Sequence, residues 1–451
     1  MKKRSAFDDY LHTYSVGEKW KLCAVPDQNF SQVVVIPAYA EKDLLFRTLA
    51  SLAVNVPDAL ENSFILCVVN HKEDSPASVM ENNKITMAYL NALIRRKSLK
   101  TFQLTKDVTA LLQCISDSKM KLGYIDAASR GYEIPRNTGG VGMARKIGMD
   151  MALRLLEKNA PQNGAIVSLD ADTLVEPNYL SVVRDYFRKN VKTAIMAYAH
   201  QMPENPAEQA AICCYEIFLR YWVLGLRYAK SPWAFHSIGS TMAVAPQSYL
   251  AVRGMNKRAA GEDFYFLNKL AKVGRIDYIR ETCVHPSARV STRVPFGTGK
   301  RIERFLAGDA AKEYYLYDPQ IFSILSGWLS LVHRMIDRDV DDILMEAKRI
   351  HPALKAFLEE ARFPLRWSAI RRNTKDQETL LNHFHVWFDG FRTLKMINYF
   401  SRVAYPPVDM FSALKRIFNL LDLPALSPEV AEDIPSLGEQ MEILRFLRTI
   451  T

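Results

Sequence analysis

The chain has 451 residues, enough for two or three domains, and 49% of them are hydrophobic, enough for sizeable cores. A formal net charge of +10 favours anionic partners such as nucleotides and phosphorylated groups. The excess is spread along the chain without a long Lys/Arg block, which argues against a dedicated nucleic-acid stripe. The six cysteines show no C-x-x-C spacing and read as buried free thiols in a reducing cytoplasm. The opening MKKRSAFDDY has no apolar core behind its basic head, so a secretory signal is not expected. The most apolar long stretch, Ile212 to Ala229, is broken by Glu216, Arg220 and Arg227. That leaves nothing near the ~20 apolar residues of a spanning helix, and membrane contact is expected to be peripheral at most.

Residues 1–30 read as a polar, partly helical lead-in. Val33-Val34-Val35-Ile36 then makes a strand of β-branched residues buried on both faces, as in a parallel sheet, with Pro37 stopping it. Leu44, Leu45, Leu49 and Leu52 carry helical spacing over Asp43 to Leu52. A second strand, Phe64 to Val69, ends at Asn70, and a helix is expected over Ala77 to Ile94. Short links between alternating strands and helices imply a doubly wound α/β domain. Ligands bind beyond the carboxyl ends of such strands, where Pro37–Glu41 and Asn70 sit. Arg95 to Met120 reads as a less regular insertion, and Leu122 to Asp126 as a third strand.

Gly139-Gly140-Val141-Gly142 opens a helix that continues to about Leu156. Glycines at a helix N-terminus let backbone amides approach an anion, and Arg145 and Lys146 add charge; the alternative is an ordinary Gly-rich loop with solvated basic residues. Ile166, Val167 and Leu169 form a short buried strand that runs out into Asp170-Ala171-Asp172. Carboxylates at i and i+2 of an extended chain lie on one side and can hold a hard divalent cation, which in turn neutralises a diphosphate. The plainer reading of Asp-x-Asp at a strand end is a turn or helix cap.

Thr193 to Ala199 and Gly239 to Ala245 read as further strands. The aromatics Tyr215, Phe218, Tyr221 and Trp222 of the intervening segment read as core. Gly261-Glu262-Asp263 then opens a helix from Tyr265 to Lys272. Its acidic pair is either a favourable first turn or a source of a general base at a site mouth. Past Tyr278 to Val284 come His285, either structural or a metal ligand, and Arg289 and Arg293, which either clamp phosphates or stand in solvent. From Arg301 onward helices dominate, expected over Ile321–Ile336, Asp339–Leu358, Gln377–Tyr399 and Met410–Leu421. His383 and His385 are two apart and fall on different helix faces, so a metal pair there is not expected.

Five motifs occur in order: VVVIPAYAE, GGVGMARKIGMDMAL, SLDADTLVEPNYL, GSTMAVAPQSYLAVRGM and AGEDFYFLNKLAKVG. Together they resemble the nucleotide-diphospho-sugar glycosyltransferases of family 2, over roughly Val33 to Arg280. The resemblance implies an α/β GT-A fold with a mixed sheet flanked by helices over 31–300, followed by a mainly helical region over 301–451. It implies metal-dependent transfer of a sugar from a nucleoside-diphosphate sugar to an acceptor hydroxyl, with inversion if attack is direct.

Under the resemblance Pro37, Ala38, Tyr39 and Glu41 line the nucleotide pocket. Gly142 and Arg145 lie near the ribose and diphosphate. Asp172 and Asp170 hold Mn²⁺ or Mg²⁺, with His285 as a further ligand. Asp263, beside Glu262, is the base. Asn70 departs from the family, which often has an Asp there, and leaves the nucleobase contact open. No nucleic-acid partner is expected, and the acceptor is not legible. Two other classes fit parts of this pattern: a catalytically silent sugar-nucleotide-binding protein and a nucleotidyltransferase.

Overall fold

The computed structural model describes residues 5–24, 28–98, 102, 104–157, 163–291, 297–308, 310–374, 376–424 and 434–451. The chain divides into two compact units. Of the described residues, the first takes those up to 201 and 237–287, and the second those of 202–236, 288–291 and 297–451.

The first unit opens with α1 (Ala6–Thr13) and β1 (Leu22–Cys23) and continues with β2 (Gln32–Ala38), α2 (Leu45–Ala53), α3 (Pro57–Glu61) and β3 (Ser63–Asn70). Then come α4 (Ala77–Ile94), α5 (Lys106–Asp117), β4 (Lys121–Ala127), α6 (Val141–Glu157), β5 (Ala165–Ser168), β6 (Leu174–Val175), α7 (Tyr179–Arg188) and β7 (Thr193–Tyr198). After α8 (Pro206–Tyr228), which belongs to the second unit, the chain returns with β8 (Met242–Val244), α9 (Pro246–Ala251), α10 (Glu262–Leu270) and β9 (Asp277–His285).

These strands form one mixed sheet in the order β1-β4-β3-β2-β5-β8-β7-β9-β6. β4, β3, β2 and β5 run parallel, and β8 lies antiparallel between β5 and β7. Every residue of β2 and β3 is buried, as expected of central strands covered on both faces. The expected α/β architecture is therefore present. Pro37 does not stop β2, which runs on to Ala38. The last β2–β5 pair is Val35 with Ser168, so the proline sits where the strand is paired only with β3.

The segment read as an irregular insertion contains α5. Val108, Leu111, Leu112 and Ile115 carry helical spacing there, and Leu112 and Ile115 are buried. The residues read as a lead-in belong to the first unit. Tyr10 donates to Asp150 Oδ1 at 2.6 Å and the Val16 amide to Asp150 Oδ2 at 2.9 Å, which ties α1 to α6.

The second unit is helical: α8, α11 (Thr298–Ala307), α12 (Pro319–Arg334), α13 (Val340–Ile350), α14 (Pro352–Glu360), α15 (Phe363–Arg372), α16 (Gln377–Trp387), α17 (Gly390–Val403), α18 (Met410–Leu420) and α19 (Leu437–Ile450). A short ribbon pairs β10 (Tyr315–Leu316) with β11 (Val408–Asp409). The division is thus not a single cut at residue 300. The buried residues of α8 share a core with Phe322, Trp328 and Leu444, so α8 goes with the helices.

Two expected long helices are each broken. His351, before Pro352, is extended (φ −162°, ψ 133°) and separates α13 from α14. Asp389 caps α17, accepting the Arg392 amide at 3.0 Å, and separates it from α16. Among the described residues no helix is long and apolar enough to cross a membrane, and all six cysteines are unpaired.

Candidate active site

β5 is a buried run of small and branched residues that ends at Ser168, while β2 and β3 run further. Leu169 still donates its amide to Val35 O at 3.0 Å, and then the chain turns at Asp170, whose carbonyl accepts from Thr173 N at 3.2 Å. Thr48 Oγ1 on α2 donates to Ala171 O at 2.9 Å, and Gln201 Nε2 donates to Asp172 O at 2.9 Å. The Asp170-Ala171-Asp172 turn is thereby held by groups from separate parts of the first unit.

Arg145, in the second turn of α6, reaches this turn from below. It is 3% exposed. Its Nη2 donates to Asp170 Oδ1 at 2.6 Å, its Nε to Glu262 Oε1 at 3.0 Å, and its Nη1 to Ser168 Oγ at 2.5 Å and Gly239 O at 3.2 Å. A Cβ on Gly239 would stand 2.1 Å from Nη2, so the fork fits because that residue has no side chain. Ser240 Oγ donates to the other Asp170 oxygen at 2.5 Å and lies 3.0 Å from Thr173 Oγ1. Burial alone would drive the Arg145 guanidinium down. The charges of Asp170, Glu262 and Asp263 outweigh it and hold the pKa above the ordinary arginine range.

Glu262 and Asp263 form the first turn of α10, entered through Gly261 at φ +67°, a left-handed position that suits glycine. Glu262 is buried against Arg145, whereas Asp263 keeps part of its surface open. Asp263 Oδ1 accepts the Phe264 amide at 2.7 Å. Removal from water, and then the Glu262 charge, push the Asp263 carboxyl up to about 7. Asp170, Glu262 and Asp263 therefore face one arginine, an excess of negative charge at the mouth of the sheet.

The glycines that open α6 do something other than face an open anion site. Gly142 donates its amide to Arg258 O at 3.2 Å, and a Cβ there would stand 2.3 Å from that oxygen. A Cβ on Gly139 would meet Lys257 O at 1.8 Å. Their missing side chains let the 256–258 loop lie directly on the helix start. Lys146 is likewise no solvent-facing charge: it is buried, with Nζ 3.3 Å from Asp150 Oδ2.

The Pro37–Glu41 loop follows β2. Pro37 and Ala38 are buried in the strand end, Tyr39 is half-buried, and Glu41 is buried. Ala40 sits at φ +53°, an uncommon conformation for a residue with a Cβ, and donates its amide to Asn83 Oδ1 at 2.9 Å. Asn82 Oδ1 takes the Lys42 amide at 3.0 Å. Asn70 is buried, and its Nδ2 donates to Ala38 O at 3.2 Å and Val68 O at 3.0 Å, fastening the ends of β2 and β3 together.

His285 ends β9 opposite Leu174 of β6, two residues past Asp172. Gln201 Nε2 bridges His285 O at 2.7 Å and Asp172 O at 2.9 Å. The imidazole stands 3.0 Å from Ala199 O through Nδ1 and 2.7 Å from Glu176 Oε1 through Nε2. Arg289 belongs to the second compact unit, and Arg293 lies outside the described residues.

Carboxylates and an imidazole are the right donors for Mn²⁺ or Mg²⁺. Their arrangement, however, is not a preassembled cage: no group of three His, Cys, Asp or Glu converges on a cation among the described residues. Both Asp170 oxygens are engaged, and both His285 nitrogens have partners.

The supporting residues Ser168, Gly239, Ser240, Asn83, Gln201 and Glu176 were not legible as site residues. Ser168, Glu176, Gly239 and Ser240 lie inside two of the five motifs without a role attached to them, and Asn83 and Gln201 left no signal.

No protein-family model and no curated protein matches this chain. Solved structures give distant likenesses. TarS 1-349 of S. aureus in complex with UDP-GlcNAc is 12% identical, covering 79% of this chain and 91% of that one, with a TM-score of 0.38. The same TarS 1-349 portion in a second structure is 13% identical, covering 93% and 90%, with a TM-score of 0.33. The mannosyltransferase PcManGT from Pyrobaculum calidifontis, in complex with GDP-Man and Mn²⁺, is 14% identical, covering 92% and 93%, with a TM-score of 0.34. At these identities and TM-scores no residue role passes from them to this chain.

Proposed function

We propose that this chain is a glycosyltransferase of the GT-A type, moving a sugar from a nucleoside-diphosphate sugar to an acceptor hydroxyl. The observation that carries the reading is the pairing of two separate acidic motifs through one buried cation. Arg145 holds Asp170 of Asp-x-Asp and Glu262 of Glu-Asp on a single guanidinium.

In this reading Asp263 takes the acceptor proton as the oxygen attacks, and direct attack inverts the anomeric carbon. A base with a pKa near the working pH is suited to that transfer, and burial beside Glu262 pushes Asp263 up to about 7. Glu262 and Arg145 orient the pair. The Pro37–Glu41 loop, steadied by Asn82 and Asn83, flanks the nucleotide.

Asp172, with Asp170 and His285 beside it, would hold a divalent cation only once the donor's own phosphates complete the coordination, as one or two carboxylates plus substrate phosphates commonly do. When bound, the cation would neutralise the diphosphate leaving group. Asn70 spends its amide on main-chain carbonyls, so base recognition would fall to neighbouring groups.

The test is incubation of the purified chain with a panel of nucleoside-diphosphate sugars and Mn²⁺, reading nucleoside-diphosphate release. Release that Asp263→Asn abolishes supports transfer. Donor binding without release points to a silent binding protein. Pyrophosphate from a sugar phosphate and a nucleoside triphosphate points to a nucleotidyltransferase.

A further inference from the structure

His71 follows the last residue of β3, at the carboxyl end of the sheet where ligands of such folds bind. It is 4% exposed. Its main chain stays tied to the chain around β4: the amide donates to Ala127 O at 3.3 Å, and the carbonyl accepts the Ile134 amide at 3.0 Å.

The imidazole is held through one nitrogen. Asn83 of α4 is buried, accepts the Ala40 amide on Oδ1 at 2.9 Å and donates from Nδ2 to Asn70 O at 2.9 Å, so main-chain partners tell its two ends apart. Nδ2 also stands 3.0 Å from His71 Nδ1. An amide nitrogen only donates, so Nδ1 accepts its second hydrogen. Burial lowers the His71 pKa from the ordinary histidine value, against the charges of Glu133 and Asp126, and keeps the ring neutral near pH 7. A neutral ring that accepts on Nδ1 carries its hydrogen on Nε2. That N–H has no partner among the described residues. A fixed donor on an almost wholly buried side chain, left unpaired by the protein, is a place for a ligand's acceptor.

The acceptor is not a phosphate. The ring carries no charge, and Glu133 and Asp126 act on it with the sign that repels an anion. In the order β3-β2-β5, His71 ends the strand two away from the one leading into Asp170-Ala171-Asp172, about 10 Å across at the usual strand spacing. With a diphosphate at that turn, a nucleoside laid across the strand ends brings its base to His71. Resting on the reading that the donor is a nucleoside-diphosphate sugar, we propose that His71 is a specificity-determining residue for the nucleobase. Its Nε2–H donates to an acceptor on the edge of the base, and Asn83 holds the ring in register with the Ala40 loop.

Calorimetric titration of the full chain with UDP, GDP, CDP and ADP, each with Mn²⁺, tests this, with inorganic pyrophosphate as the probe that has no base. His71→Asn keeps an acceptor where Nδ1 stood and removes Nε2. His71→Gln sets an amide N–H near the place of Nε2 and gives up Nδ1. The parent is expected to prefer one nucleotide. His71→Asn should lose about 10-fold of that affinity, the worth of one hydrogen bond, with pyrophosphate binding and melting temperature near those of the parent. His71→Gln should regain part of it. A purely structural histidine gives the opposite order, with Asn tolerated and Gln defective. A His71→Asn chain that binds the preferred nucleotide as the parent does, or that loses pyrophosphate in parallel, overturns the inference and leaves the glycosyltransferase reading standing. A parent that binds no nucleoside diphosphate more tightly than pyrophosphate overturns both.

Discussion

Arg145 Nη2 lies 2.6 Å from Asp170 Oδ1, and the arginine that makes this bond is almost wholly out of solvent. The same guanidinium takes Glu262 Oε1 at 3.0 Å, so α6 ties the end of β5 to the start of α10. A residue so placed works through its neighbours. It keeps two acidic motifs at fixed separation and cancels part of a charge excess that would otherwise push them apart.

Arg145→Ala should therefore cost stability. It leaves Glu262, 4% exposed, as an unpaired buried carboxylate, a loss on the order of 3–5 kcal/mol in stability. Arg145→Lys keeps the charge but has no planar fork to span Asp170, Glu262 and Gly239 O, so it should fold less stably and turn over slowly. Gly239→Ala should reproduce the catalytic defect, because its Cβ would stand 2.1 Å from Nη2. Thermal denaturation and donor-dependent turnover check all three. Full activity in Arg145→Lys would show that the fork does not matter.

The parts of this structure that were legible are those with a local signal. β2 and β3 are unbroken apolar runs because both faces are buried, and α4 spans Ala77–Ile94 as expected. Asp170 and Glu262 were visible as motifs. What joins them was not. Arg145 stands beside a glycine run that reads as an anion cradle, and only the packing of Arg258 O on Gly142 shows that the helix start is already covered. Contacts at separations of 25 and 117 residues leave no period in the sequence. The same holds for α8, whose aromatic residues announce a core but not which of two cores they enter.

Asp172→Asn should preserve the fold while removing a charged oxygen from the proposed cation site. The loss in turnover should be at least about 100-fold, beyond what the loss of an outer partner of a metal typically costs. Titration with Mn²⁺, and addition of excess chelator, are the measurements. Turnover unaffected by both the substitution and the chelator would remove the cation from the reaction.

His285 and Glu176 form a second test of that site. Glu176 meets His285 Nε2 at 2.7 Å, so the imidazole can ligate only if the carboxylate moves aside. Glu176→Gln weakens that hold and should leave the Mn²⁺ requirement the same or lower. His285→Ala should raise the Mn²⁺ concentration needed for half-maximal turnover. An unchanged requirement, with a drop in melting temperature alone, would make His285 a structural partner of Ala199 and Glu176.

Asp263 yields a pH signature with two independent readouts. An unfolded aspartate titrates near ~3.9, whereas burial and the Glu262 charge push the folded carboxyl up to about 7. Between these values the folded state holds a proton that the unfolded state has released. Folding stability from this group is therefore full below the unfolded pKa, falls as pH rises through the window, and levels off above about 7. Catalysis runs the other way, because a base must be ionised: turnover should climb through the same region. Asp263→Asn should flatten both curves, raise stability at neutral pH, leave donor affinity near that of the parent, and cut turnover by roughly 10²–10⁴-fold. If the variant keeps its turnover, the acceptor needs no protein base. If donor affinity falls in parallel with turnover, Asp263 acts in binding, and the proton must be taken by another group at the mouth of the sheet.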